Sequence, residues 1–105
     1  MFEKFSLNEI QKVIHDWITK HGGYWPPLAM LSAIIEEIGE LAKEINYLEG
    51  FKPKLNKNEE IKIGEELADV LYALVCIANY YKIDLNHELD NVINKYSTRD
   101  SKRFI

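Results

Sequence analysis

Apolar residues recur along this chain at helical spacing in four separate stretches. Leu7, Ile10, Val13, Ile14, Trp17 and Ile18 return every three or four positions, between Ser6 and the pair Gly22-Gly23. Ser6 followed three residues later by Glu9 has the form of a capping box, so the first helix is expected to start there. Tyr24-Trp25-Pro26-Pro27 forms a short connection whose prolines suit a helix entrance. Leu28, Leu31, Ile34, Ile35, Ile38, Leu41, Ala42, Ile45 and Leu48 then make one apolar stripe that Gly50 ends. The lysine-rich segment with Pro53 reads as a loop, and a third helix is expected from about Glu59 to Tyr81. Asp84 stands where an N-cap would open a fourth helix, with Leu85, Leu89, Val92, Ile93 and Tyr96 as its buried stripe. Ser97 to Ile105 reads as a polar ending that carries Arg99, Lys102 and Arg103. No strand pattern competes, so the expectation is an all-α, four-helix bundle-like subunit.

The third helix is apolar nearly all round from Leu67 to Ala78, interrupted by Asp69. Such a helix wants cover on every side, more than three other helices of a 105-residue chain supply. A second copy is expected to complete the cover, giving a homodimer or a dimer of dimers, that is, a homotetramer. The chain is otherwise expected to be one domain over residues 1–105.

Charge narrows the partners. Thirteen basic residues stand against seventeen acidic, a formal charge of −4, which argues against binding a nucleic-acid polymer or an anionic membrane. The longest apolar run, Val70 to Ala78, is far short of the ~20 residues that span a bilayer. Met1-Phe2-Glu3-Lys4-Phe5-Ser6 lacks the apolar stretch of a signal peptide, and Cys76 has no partner for a disulfide. A cytoplasmic protein is the expectation. Cys76, within an apolar run, should act as a small hydrophobe.

The candidate chemistry lies in the acids. Glu36, Glu37 and Glu40 fall at roughly 0°, 100° and 40° around the second helix, so three acids share one side. Glu66 and Asp69, three apart, share a face of the third. Gly39 and Ala68 each precede the second acid of a pair and are small enough to admit close backbone approach. A solvated acidic face would explain Glu-Glu-x-x-Glu by itself. Asp69 is harder to dismiss, because a charged carboxylate in an apolar stretch is costly unless a cation faces it. Crowded like charges also raise one another's pKa and strain a fold without a cation. Carboxylate oxygens suit a hard divalent ion: magnesium, manganese or calcium.

Glu36-Glu37-Ile38-Gly39-Glu40 and Glu66-Leu67-Ala68-Asp69 together resemble the signature of the MazG-type all-α nucleoside triphosphate pyrophosphohydrolases. The resemblance extends to the Tyr24-Trp25-Pro26-Pro27 entry and to the Lys-Tyr-x-x-Arg-Asp ending at Lys95 to Asp100, so it covers nearly the whole chain. It implies hydrolysis of a nucleoside or deoxynucleoside triphosphate between the α and β phosphates, for nucleotide-pool house-cleaning. It implies Glu37, Glu40, Glu66 and Asp69 as metal ligands, with Glu36 orienting or deprotonating the attacking water. Mg2+ is the expected ion, Mn2+ a substitute, and so many acids suggest at least two ions during turnover.

Lys95 and Arg99, with Arg103 as a further candidate, would meet phosphate oxygens, since they match the family's ending and complement phosphate. Cations also favour any helix C-terminus, so an ordinary basic ending is the competing explanation. Trp17, Tyr24 and Trp25 could stack on a base or serve as core, and Trp25 is the better stacking candidate. Asn79 either reads the substrate or ends the buried stretch. His15, His21 and His87 show no ligand spacing. A di-iron bundle would need Glu-x-x-His on two helices, which is lacking. The remaining alternatives are a non-catalytic helical module with an acidic, cation-binding face, and an enzyme like phosphoribosyl-ATP pyrophosphohydrolase, which shares the superfamily.

Overall fold

A computed structural model describes residues 5–50 and 62–101, and every structural statement below concerns these. They form four helices and no strand: α1 Leu7–Lys20, α2 Pro27–Leu48, α3 Ile63–Tyr80 and α4 Leu85–Ser101. The all-α expectation holds.

The helix ends follow from local chemistry. Ser6 caps α1 as expected: the Glu9 amide donates to Ser6 Oγ at 3.2 Å and the Ser6 amide donates back to Glu9 Oε1 at 3.3 Å. Two otherwise orphaned amides are thereby satisfied. At the other end Gly22 takes φ +107°, a conformation that costs a side-chain-bearing residue dearly, and the Gly23 amide closes onto the Ile18 carbonyl at 2.9 Å. Pro27 occupies the first position of α2, where its missing N–H would have had no partner, and Met30 N donates to the Pro26 carbonyl. Asp84 is the N-cap of α4, accepting from the His87 amide at 3.1 Å.

Two boundaries differ from expectation. The third helix begins at Ile63, with Lys62 still outside it; residues 59–61 lie outside the described ones. This start leaves Glu65 and Glu66 in the first turn, where the helix dipole favours acids. The fourth helix runs on to Ser101 and takes in most of the segment read as a polar ending. Arg103 lies outside the described residues.

The described chain divides into two compact units. One contains α2 and α3 as far as Ile77, within Trp25–Ile77; the other contains α1, the residues from Ala78 and α4. In the first, Met30, Ile34, Val75 and Cys76 are buried. Burial pushes the Cys76 thiol above its ordinary pKa, so it remains a neutral, hydrophobic group.

In the second unit α1 packs on α4 and the joint is polar. Gln11 is buried, and its Nε2 donates to Asn79 Oδ1 at 2.9 Å and to the Ile83 carbonyl at 2.8 Å. Its Oε1 accepts from the Leu85 amide at 2.9 Å, and Asn79 Nδ2 donates to the Gln11 carbonyl at 2.9 Å. One side-chain amide thus uses both hydrogens and its oxygen on the turn between α3 and α4, as a buried amide must. That turn carries Lys82 at φ +57°, with the Ile83 amide donating to the Ala78 carbonyl at 2.8 Å.

Much of the expected apolar stripe is not core. Ile35, Ile38, Leu48, Leu67, Leu71, Leu74 and Ile93 are all exposed. Helical period identifies a face that wants cover but not what provides it, and these side chains find too little cover among the described residues.

Candidate metal centre

Glu37 from α2 and Glu66 and Asp69 from α3 each bring a carboxylate oxygen into one group, all three oxygens lying within 4.8 Å of one another. Glu37 and Glu66 are half-buried and Asp69 is exposed. No basic side chain among the described residues pairs with any of the three. The three oxygens are donors of the kind a hard cation takes.

The weight within the cluster differs from expectation. The sequence predicts Asp69 as the costly buried acid, but within the single chain Asp69 and its neighbours Leu67 and Ala68 are exposed. Glu66 carries that burden instead: its Oε2 is buried and accepts no hydrogen bond among the described residues. The Glu66 carboxyl is raised above its ordinary value by loss of water around it, by a proton shared with Glu37, and by the charges of Glu37, Asp69 and Glu40. The shared proton is available only when one of the pair is neutral; with both charged, Oε2 has nothing to accept from. A buried, unsatisfied oxygen among like charges fits a cation.

The other predicted residues fall around this trio. Glu40 acts on Glu66 through its charge but is exposed, with Lys43 Nζ 3.9 Å away. Glu36, expected to share a side with Glu37, is exposed and outside the trio. Gly39 faces open space, where an added Cβ would meet nothing within 4 Å, so the close backbone approach expected there is not observed.

Trp25 is 65% exposed just before α2. Trp17 is exposed too, stacked on His21 with ring centres 4.0 Å apart, and Tyr24 hydrogen-bonds His15 Nδ1 at 2.7 Å. Asn79 is committed to Gln11, so the bonds it makes are structural. Lys95 and Arg99 lie exposed on α4 on either side of Tyr96, whose ring sits 5.2 Å from Lys95 Nζ and 4.5 Å from the Arg99 guanidinium carbon. Tyr96, expected in the buried stripe, is exposed, and Asp100 is an unexpected partner of Arg99. For Tyr96 the three-residue spacing to Arg99 was a usable signal. For Asp100 none existed, because consecutive helical residues do not ordinarily face each other.

Four helices with an acidic trio across α2 and α3 define an all-α protein with a candidate cation site. Residues 26–104 match the MazG nucleotide pyrophosphohydrolase domain, and the chain belongs to that family. It is therefore a hydrolase acting on nucleotide pyrophosphate bonds. The chain is 40% identical over 100 residues to the uncharacterized protein YpjD of Bacillus subtilis (strain 168), covering 94% of this chain and 90% of that one. A crystal structure of YpjD from Bacillus subtilis superposes with a TM-score of 0.80 at 38% identity, covering 90% of this chain and 97% of the other. A second crystal structure, of the Bacillus-conserved MazG protein, a nucleotide pyrophosphohydrolase, gives 0.76 at 39% identity over 95% and 98% of the two chains.

Proposed function

We propose that this chain hydrolyses nucleoside or deoxynucleoside triphosphates between the α and β phosphates, with magnesium, releasing a monophosphate and pyrophosphate. Its role would be house-cleaning of the nucleotide pool, in the cytoplasm. The observation that carries the reading is the trio of carboxylate oxygens within 4.8 Å, one of its members having a buried oxygen with no hydrogen-bond donor.

Glu37, Glu40, Glu66 and Asp69 would hold Mg2+, or Mn2+ in its place. The ion when bound offsets the charge of phosphate oxygens and makes a nearby water more acidic. Glu36, outside the trio, is the group left to orient the attacking water and take its proton. Lys95 and Arg99 would neutralise phosphate oxygens, and the exposed Trp25 ring offers a face to a base. Asn79, with its oxygen and one amide hydrogen given to Gln11, would have its second amide hydrogen to offer a substrate.

Incubating the chain and magnesium with a panel of common and modified triphosphates tests the reaction. Monophosphate and pyrophosphate are the expected products. Orthophosphate and diphosphate would place the cleavage elsewhere.

The exposed leucines and isoleucines of α2 and α3 support a second proposal, that another copy covers them in a homodimer or homotetramer. Each of these side chains would contribute to association in proportion to the apolar area removed from water, about 25 cal/mol per Å². Sedimentation at micromolar concentration should give twice or four times the chain mass; a monomer there would end this reading.

A further inference from the structure

Arg99 does not extend freely from α4. Its Nε donates to Asp100 Oδ1 at 2.8 Å and its Nη2 to Asp100 Oδ2 at 3.3 Å, a two-pronged pairing of guanidinium and carboxylate. The Tyr96 ring lies against the same guanidinium at 4.5 Å. The ring's position follows from helical spacing, since residues three apart are neighbours, but the Asp100 pairing does not. Arg99 must bend across the backbone to reach a residue ~100° away around the helix. Asp100 is the more sheltered partner, 33% exposed at its side chain against 54% for Arg99.

One edge of the guanidinium therefore faces Asp100 and its carbon lies over the Tyr96 ring, while Nη1 with the outer hydrogen of Nη2 forms the second edge. Lys95 Nζ, 5.2 Å from the same ring, adds another positive charge close by. Two cations beside one ring repel each other, and a shared anion relieves that repulsion.

We propose that Asp100 and Tyr96 are positioning residues that hold Arg99 so its remaining edge, together with Lys95, grips a phosphate group of the substrate. The inference rests on the proposed reading of Lys95 and Arg99 as phosphate contacts. An arginine held this way has already lost the side-chain freedom that binding would otherwise cost. A plain surface ion pair is the competing explanation; exposed pairs contribute little to stability and nothing to substrate affinity. If Asp100 did no more than neutralise Arg99, its removal would strengthen phosphate binding.

The test compares Asp100→Asn, Asp100→Glu, Tyr96→Leu, Arg99→Ala and the Arg99→Ala/Asp100→Asn double variant in the full chain. Steady-state kinetics with magnesium and the best triphosphate of the panel is read beside equilibrium binding of inorganic pyrophosphate, and circular dichroism checks that each variant is helical. Asp100→Asn should raise KM and weaken pyrophosphate binding about tenfold with kcat within about twofold of the parent, the pattern of a lost uniform binding interaction. Tyr96→Leu should move KM in the same direction, and Asp100→Glu should recover part of the loss. In the Arg99→Ala background Asp100→Asn should add nothing. An unchanged or lowered KM for Asp100→Asn, while Arg99→Ala raises it, overturns the positioning role and leaves the phosphate contact standing. An additive effect in the double variant also overturns it, because Asp100 would then act apart from Arg99. If Arg99→Ala itself changes neither KM nor pyrophosphate binding, the phosphate reading fails first, and this inference with it.

Discussion

Replacing Glu37 by Gln or Asp69 by Asn should abolish triphosphate hydrolysis, lowering kcat by on the order of a thousandfold, while leaving the helical circular dichroism near normal. The amide keeps the shape of the carboxylate and removes its charge. Each substitution takes one anionic oxygen from a group of three within 4.8 Å, and a neutral amide is a poor substitute toward a hard divalent cation. The fold should survive because neither side chain carries helix packing: Glu37 is half-buried and Asp69 exposed. Removing a negative charge also relieves the neighbours that raise the Glu66 pKa, so stability without metal should rise slightly. Measured turnover beside a thermal melt separates the two effects. Activity retained in either variant would remove that residue from the site.

The second expectation concerns pH and metal together. Folding raises the Glu66 pKa above its ordinary 4.5, so the folded state binds this proton more tightly than the unfolded chain does. The stability that proton contributes is complete below the ordinary value and is lost as the pH rises through the raised one. Without divalent cations, then, the Glu66 contribution falls as the pH rises above about 4.5. A cation competes with that proton for the same oxygens, so magnesium should stabilise the protein more at about pH 8 than at about pH 5. Linkage sets the scale: at a hundred times its dissociation constant a ligand contributes about 2.7 kcal/mol. Thermal melts across this range, with chelator or with magnesium, provide the check. Glu66→Gln should flatten the pH dependence without metal and cancel most of the magnesium effect. A magnesium effect independent of pH, or one that survives in Glu66→Gln, would mean that the ion binds elsewhere.

Both expectations bear on Glu66, whose role was only partly visible beforehand. The motif identified Glu66 and Asp69 as neighbours, since residues three apart on a helix are always neighbours. It could not tell which of them would lose its water. An apolar run around Asp69 pointed the wrong way because burial is decided by what packs on a residue and not by its neighbours in sequence. Asn79 shows the same divide. Its need for partners was readable from its place in an apolar helix, but the partner, Gln11, lies 68 residues away in the chain. The paired glycines after α1, the Ser6-Glu9 box, the prolines before α2 and the Asp84 cap were all readable, because each satisfies backbone groups within a turn or two.

By itself the sequence determined the four helices, their caps, the two acidic motifs and, through those motifs, the family, because helical period and capping are local and a motif is a spacing. Only the tertiary structure decided that Glu37 of α2 joins Glu66 and Asp69 of α3 in one tight group. It also decided that Glu66 holds the buried oxygen and that Asn79 finds Gln11. These are matters of which side chains lose water and which find partners, and they depend on how the elements pack on one another.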